Sequence, residues 1–458
     1  MVQIEQSQAR QVALMALLKI EQGQFADAAL QQGLAKANLK AVDRRFITEL
    51  VYGVTRRRRT LDALIDQYSS KEGDRQPLKL RLILRLGLYQ MRYLTQVPAS
   101  AAVNTSVELA KQNGLKGLSG FVNGLLRRYG RESAAESSTS EPHDPLNLPE
   151  EAIARLAILH SYPDWILQVW SEQLPLSELD ILCQYFNQPP SINLRVNRLQ
   201  TTRDQVLQAF EDQGIEADVI PFTTHGIQLR HHAGDIRALP GYDDGWWSVQ
   251  DASAQGVVKL LAPKPGEIVI DACAAPGGKT TQIAECMGDR GQVWACDRQA
   301  KRLRRVEENQ QRLKLNSIQT KAVDMRSPDL DDLPLADRVL VDAPCSGLGT
   351  LNRHADARWQ QTPESVADQA IIQTGLLNRT SQLVKPGGVL VYATCTLHPA
   401  ENEQQIQQFL KTHPNWRVEP PAADSPLDVW TQPEGWLKIW PHQHQMDGFF
   451  MARLRHQM

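Results

Sequence analysis

From Gln8 to Arg128 apolar residues recur at steps of three and four, as in Val12, Met15, Ala16 and Leu18, then Leu61, Leu64 and Ile65, then Leu82, Leu86 and Leu88, which predicts a helical domain. The next stretch, residues 133–149, is rich in Ser, Glu and Pro. Its few apolar side chains cannot repay the entropy of ordering, so it reads as a flexible linker. Helices over 156–170 and 180–186, with short strands at 192–196, 218–220 and 227–229 around a helix at 202–213, predict a small α+β module. After Gly245 strands alternate with helices: 268–271, 293–297, 318–324, 338–342 and 389–394. That alternation predicts a parallel sheet covered on both faces, with 448–454 as a last strand candidate. The expected domains are therefore 1–132, a linker at 133–149, a module at 150–244 and an α/β domain at 245–458.

Length and composition are compatible with this division. The chain has 458 residues, 42% apolar and 22% charged, which is ordinary globular usage. Its formal charge of -2 hides an uneven distribution: residues 1–132 carry 21 basic and 11 acidic side chains, leaving 29 against 41 for the rest. The basic third suggests a polyanionic partner. Its run Arg56-Arg57-Arg58-Arg59 fits either a solvated helix face or a nucleic-acid contact. The six cysteines, at 183, 273, 286, 296, 345 and 395, form no Cys-x-x-Cys pair, so a structural metal is not expected. His442 and His444 read as surface or packing residues. The short apolar run 12–18 lies between Glu5 and Lys19, unlike a secretory signal, and no stretch is long enough to span a bilayer. A cytoplasmic protein with free thiols is expected.

In an open α/β sheet ligands bind beyond the carboxyl ends of the strands, so the loops there carry the chemistry. The first reads Asp271-Ala-Cys-Ala-Ala-Pro-Gly-Gly-Lys-Thr280. Its small residues let a ligand approach the backbone, and the following helix points its N-terminus at it. A phosphate-binding P-loop is excluded because Cys273 stands where that motif needs its first glycine. Asp297, ending the second strand, can accept hydrogen bonds from both hydroxyls of a ribose, and Asp324, after the third, can meet an adenine amino edge. Either acid alone is equally a surface carboxylate; three consecutive loops of this kind favour a nucleoside-containing cofactor.

The fourth strand runs into Asp342-Ala-Pro-Cys345-Ser-Gly and the fifth into Ala393-Thr-Cys395-Thr. Adjacent strands would bring both thiols to the cofactor edge, although a free cysteine is commonly a small buried hydrophobe. Cys183 and Cys286 keep that bland reading, and Cys296 reads as packing. Together, the loop 271–280, Asp-Ala-Pro-Cys-Ser-Gly and Ala-Thr-Cys-Thr resemble motifs I, IV and VI of the Nop2/Sun RNA 5-methylcytosine methyltransferases. Glu-Leu-Val-Tyr-Gly-Val at 49–54 and Gly-Phe-Val-Asn-Gly-Leu-Leu-Arg-Arg at 120–128 look NusB-like, and Trp247 to Gln255 and Asp447 to Phe450 fit too, so the resemblance spans nearly the whole chain except the linker.

The resemblance implies an all-α NusB-like RNA-binding N-terminal domain, a small α+β module and a C-terminal Rossmann-like class I methyltransferase domain. It also implies S-adenosyl-L-methionine held by Cys273, Ala274, Ala275, Pro276, Gly277, Gly278, Lys279, Asp297, Asp324 and Asp342. Cys395 would be the nucleophile, Cys345 would resolve the adduct, and the partner would be RNA, with a cytosine of 16S (small-subunit) ribosomal RNA as target and another RNA such as tRNA as the alternative. The chemistry explains the residue types. Carbon 5 of cytosine is a poor nucleophile until a thiolate adds at carbon 6. Only about 3% of an ordinary thiol is ionised at neutral pH, so the site must favour the thiolate. An acid at Asp342 beside ring nitrogen 3 would stabilise the developing charge, a contribution of about 3 kcal/mol for typical donors of this kind. The target base must be unstacked to be reached, and basic groups such as Arg302, Arg304 and Arg305 either attract RNA or form a solvated helix face. Two rival readings stand against this one. A non-enzymatic RNA-binding scaffold has no use for the two thiol loops, and an amino-group methyltransferase would carry an Asn/Asp-Pro-Pro-aromatic loop where Asp342-Ala-Pro-Cys345 stands.

Overall fold

The computed structural model describes residues 2–35, 39–70, 75–134, 144–230, 234–328, 330 and 332–457. The chain divides into two bodies, Met1–Asn187 with Leu351–Gln360, and Gln188–Thr350 with Gln361–Met458.

The first body is helical, as the three-and-four spacing requires. Helices Val2–Glu21, Ala26–Ala35, Ala41–Arg56, Arg58–Tyr68, Leu78–Tyr93, Ala99–Gln112 and Ser119–Ser133 enclose a core that includes Leu14, Leu17, Leu50, Leu61, Leu64, Ile65, Leu82, Leu86 and Leu126. In the first helix the buried stripe is Ala9, Ala13, Leu14, Ala16 and Leu17, while Met15 is 47% exposed, so the stripe read from sequence was rotated by about a residue. The expected helix over 156–170 is two helices, Ala152–His160 and Asp164–Ser171. Ser161 turns left-handed at φ 68, and Pro163 cannot continue the ladder.

The expected linker is only in part describable: residues 135–143 lie outside the described residues, but 144–149 is pinned. Leu146 is buried in the helical core, Asp144 pairs with Arg92, and Gln67 bonds Pro145 O and Asn147 N. Two leucines, Leu146 and Leu148, supply anchors that the polar composition of the stretch concealed. The Arg56–Arg59 run is half-buried, and each of its side chains has a partner within this body. Arg56 donates to Asn352 O, Arg57 stacks on Tyr93, Arg58 stacks on Trp359, and Arg59 pairs with Asp164.

The late segment Leu351–Gln360 completes this body. Arg358, with 0% exposure, lies over the Tyr162 ring and donates to Ser161 O and Asn187 Oδ1, and the Trp359 indole donates to Thr55 O.

The second body holds two sheets. Strands β1 (Ile192–Val196), β2 (Ala217–Val219), β3 (Gly226–Leu229) and β4 (Trp247–Val249) form an antiparallel sheet in the order β2-β3-β1-β4. Helix Arg203–Glu211 packs Val206 and Phe210 into a core with Leu194, Val196 and Trp247. The larger sheet contains β5 (Ile268–Asp271), β6 (Gln292–Asp297), β7 (Ile318–Ala322), β8 (Ala336–Asp342), β9 (Val384–Thr394), β10 (Trp416–Val418), β11 (Leu437–Ile439) and β12 (Phe449–His456). Its order is β10-β12-β9-β8-β5-β6-β7, with β11 paired to β12.

Strands β5 to β9 are parallel, as expected, whereas β10, β11 and β12 are antiparallel additions at the far edge. Alternate residues of β5 serve the two faces: Val269 joins Val258, Ile283 and Val306, and Ile270 joins Leu376, Leu377 and Phe409. The chain leaves β5 toward β6 and β7 and returns on its other side with β8 and β9. The carboxyl ends of β5 and β8 therefore flank a switch point, where an open sheet leaves room for a ligand.

Candidate active site

A cleft of about 460 Å³ opens at that switch point. Its walls are the loops after β5, β6, β7, β8 and β9, the five the sequence singled out, and Cys273, Ala275, Lys279, Asp297, Asp324, Asp342, Cys345 and Cys395 all line it. The remaining residues of the first loop do other work. Ala274 packs into the core, Pro276 O accepts from Asn309, and Gly277 caps helix Gly278–Cys286 at φ 107. A Cβ at Gly277 would also stand 3.1 Å from Val306 Cα, and one at Gly278 would meet open space.

Asp297 is buried and accepts from Gln299 N at 2.9 Å, while Arg302 bridges it to the first loop, 3.1 Å from Asp297 Oδ2 and 3.1 Å from Ala275 O. Arg302 thus faces the cleft wall rather than solvent alone. Asp324 borders the cleft, yet both its oxygens are taken by Arg326. Lys279 Nζ is 2.7 Å from Asp342 Oδ2 and sits over the Phe449 ring at 5.1 Å. Burial alone would lower the lysine's pKa, but Asp342 and, more weakly, Cys395 raise it above its ordinary value, so its charge is held at the mouth of the thiol site. Asp342 Oδ1 makes no hydrogen bond among the described residues.

The two thiols meet. Cys345 Sγ and Cys395 Sγ are 3.4 Å apart, the consequence of parallel pairing that sets Asp342 beside Ala393. The hydrogen bond to Cys395, then burial, then the nearby Glu401 charge push the Cys345 thiol well above its ordinary range. The other cysteines are unsuited to nucleophilic work: burial raises Cys273 and Cys183 strongly and pushes Cys296 up to about 12.

Sequence reading missed the support beneath the thiols. Glu401 is fully buried and accepts from Ser346 N at 2.8 Å, from the Ser346 hydroxyl and from Gln373 Nε2 at 3.0 Å, fixing the loop that carries Cys345. The Ser346 and Thr396 hydroxyls meet at 2.8 Å, and Gly349 N donates to Cys395 O at 2.9 Å. The signal in the string was Glu401-Asn402, an acid and an amide just past a strand exit, which looks no different from a surface turn. Among the described residues no group of three or more His, Cys, Asp or Glu could hold a metal, and no helix is long and apolar enough to cross a membrane.

A half-parallel open sheet with a nucleoside-sized cleft at its switch point, joined to a small antiparallel module and a helical domain, defines a Rossmann-like S-adenosylmethionine-dependent methyltransferase. Comparison with known proteins narrows the class. A model described as 16S rRNA methyltransferase RsmB/F matches residues 258–455, the NusB family matches 7–131, and a RsmF/B-like ferredoxin-like domain matches 162–236. The chain is 48% identical to the probable ribosomal RNA small subunit methyltransferase B of Synechocystis, over 98% of this chain and 99% of that one. The crystal structure of PH0851 has the same fold, with a TM-score of 0.78 at 24% identity over 98% of each chain. A methyltransferase homologue from Pyrococcus horikoshii aligns at 27% identity and a TM-score of 0.59, over 68% of this chain and all of that one. The chain belongs to the 16S rRNA methyltransferase RsmB/F family.

The residues present suit the cofactor of this class. The cleft has a floor of small residues, the open approach at Gly278 and the buried carboxylate of Asp297.

Proposed function

We propose that the chain methylates carbon 5 of a cytosine in small-subunit ribosomal RNA, with Cys395 as nucleophile. The observation that carries this reading is the 3.4 Å approach of Cys345 and Cys395 at the cofactor cleft. Family membership supports the RNA class, since the Synechocystis relative is named for small-subunit ribosomal RNA. When bound in the cleft, S-adenosylmethionine supplies an electrophilic methyl group.

The chain's own residues account for the rest. Asp297 and the 273–279 loop bind the cofactor, with Asp324 and Asp342 at the borders of the same cleft. The Cys395 thiolate adds to carbon 6 of the ring, stabilised by the Cys345 S–H and the Lys279 ammonium, and carbon 5 becomes nucleophilic enough to take the methyl group, whose former bonding electrons stay on the donor sulfur. The Lys279–Asp342 pair lies where charge on the ring can be met, with Asp342 Oδ1 able to accept from ring nitrogen 3 once that nitrogen is protonated. Once the Cys395 sulfur is bonded to carbon, it no longer holds the Cys345 proton by hydrogen bond and charge, so Cys345 gives that proton up to water more readily. It then takes the carbon 5 proton, and Cys395 leaves with the electrons of its carbon–sulfur bond.

The test is methyl transfer from labelled cofactor to RNA of a deletion strain, with the modified base mapped. Cys345→Ala should accumulate a protein–RNA adduct that survives denaturant, and Cys395→Ala should yield neither adduct nor product. Adduct from Cys395→Ala would exchange the two roles, and label on an exocyclic amine would overturn the reading.

A further inference from the structure

The second body carries another pocket, of about 170 Å³, that none of the catalytic steps uses. It forms where β1 and the loop after it, the turn before β3, and helices Ala252–Leu261 and Gly278–Cys286 come together. Its chemistry is one-sided. Glu285 is the one carboxylate lining it, and Arg195 neutralises that group with bonds of 2.8 and 3.0 Å. Two further cations, Arg198 and Lys259, line the same space, and a third, Arg203, adjoins it through Thr223, none of them with a carboxylate against it among the described residues. Arg198 is exposed and makes no hydrogen bond or ion pair among the described residues. Lys259 Nζ donates to Phe222 O at 3.2 Å. Arg203 donates to Thr223 O at 3.1 Å and leaves its buried Nε without an acceptor. The His225 imidazole has no hydrogen-bond partner among the described residues, and burial, followed by Arg198, Arg203, Arg195 and Lys259, lowers its pKa.

Converging cations with no carboxylate to balance them describe a seat for an anion. We infer that this pocket binds a backbone phosphodiester of the RNA substrate, with Arg198 and Lys259 as its donors and the adjoining Arg203 adding positive charge. The inference rests on the reading that the chain acts on RNA. A polymer is favoured over a free ion because the exposed heads of Arg198 and Lys259 can follow a chain past the pocket. The site also communicates with the catalytic cleft: Arg195, which closes its floor, donates to Gly278 O at 2.7 Å, at the first turn of the cofactor helix.

The experiment uses the full chain carrying Arg198→Glu and Lys259→Glu together, and a small-subunit rRNA transcript bound without catalysis across a salt series. The expected result is a log affinity versus log salt slope shallower by about two, and affinity lower on the order of tenfold at moderate salt, with S-adenosylmethionine affinity unchanged. Arg198→Gln and Lys259→Gln singly should each remove about one from the slope, which guards against misfolding of the double variant. An unchanged slope and affinity overturns the proposal. So does heat on titrating inorganic phosphate that vanishes in Arg198→Glu while the RNA slope stays put, because the pocket would then take a small anion only. Because binding is read directly, a chain that shows the slope change but transfers no methyl group would overturn the catalytic reading and leave this one standing.

Discussion

Cys345 and Cys395 differ by what surrounds them rather than by kind, since both are half-buried thiols at strand exits. The same principle acts on Asp271. Burial pushes its carboxyl up to about 7, against the Thr280 hydroxyl bond that lowers it. Because the folded group binds its proton more tightly than the unfolded one, stability is greatest in acid and falls as pH rises from about 4 to about 7, then levels. Asp271→Asn keeps the shape and removes the titration. Its melting temperature relative to the parent should therefore rise across that window, and parallel melting curves between pH 5 and 8 would refute it. Residue-scale chemistry was legible for the thiols because their dipeptides, Pro344-Cys345 and Thr394-Cys395, end recognisable strands. It was illegible for Arg56 to Arg59, where four like charges in a row give no hint of the rings and carbonyls that hold them.

At the scale of elements, the site depends on how closely two loops approach. Gly349 N donates to Cys395 O, and Gly448 N donates to Gly349 O at 2.7 Å, so the loop after β8 is clamped between the exits of β9 and the entry of β12. A Cβ on Gly349 would stand 2.2 Å from Gly448 O and 2.8 Å from Cys395 O, both backbone atoms that cannot swing aside. Gly349→Ala should cost roughly 1–3 kcal/mol and lower kcat about tenfold, read from melting and single-turnover assays.

Glu401 acts on the same loop as a positioning residue. Glu401→Ala strands the buried Ser346 N–H and should reduce kcat by about ten- to hundredfold while cofactor affinity stays within about twofold. Equal loss of both would show general unfolding instead. Strand positions were readable because buried parallel strands write continuous apolar runs such as Val389 to Tyr392. Of the antiparallel edge only β12 was readable, as 448–454, because β10 and β11 are three residues each, too short for a period to appear.

For the molecule as a whole, the decisive feature is that the helical body is built from two separate stretches of chain. Arg358 caps Ser161 O and Asn187 Oδ1 and covers Tyr162. Arg358→Ala should destabilise that body by about 1–3 kcal/mol and lower its melting temperature by several degrees, with the cofactor cleft still able to bind. A wild-type melting temperature would show that the segment contributes nothing. No reading of periodicity reaches this arrangement, since Leu351–Gln360 carries no helical stripe and lies far along the sequence from the residues it covers.

The arrangement also fixes an order of events during synthesis. Translation at roughly 5–20 residues per second leaves an interval on the order of ten seconds or more between the emergence of Asn187 and that of Leu351, some 160 residues later. Throughout it the nascent N-terminal helices stand on the ribosome with the seat of Arg358 and Trp359 unfilled, a window in which a chaperone or a protease meets a half-finished protein.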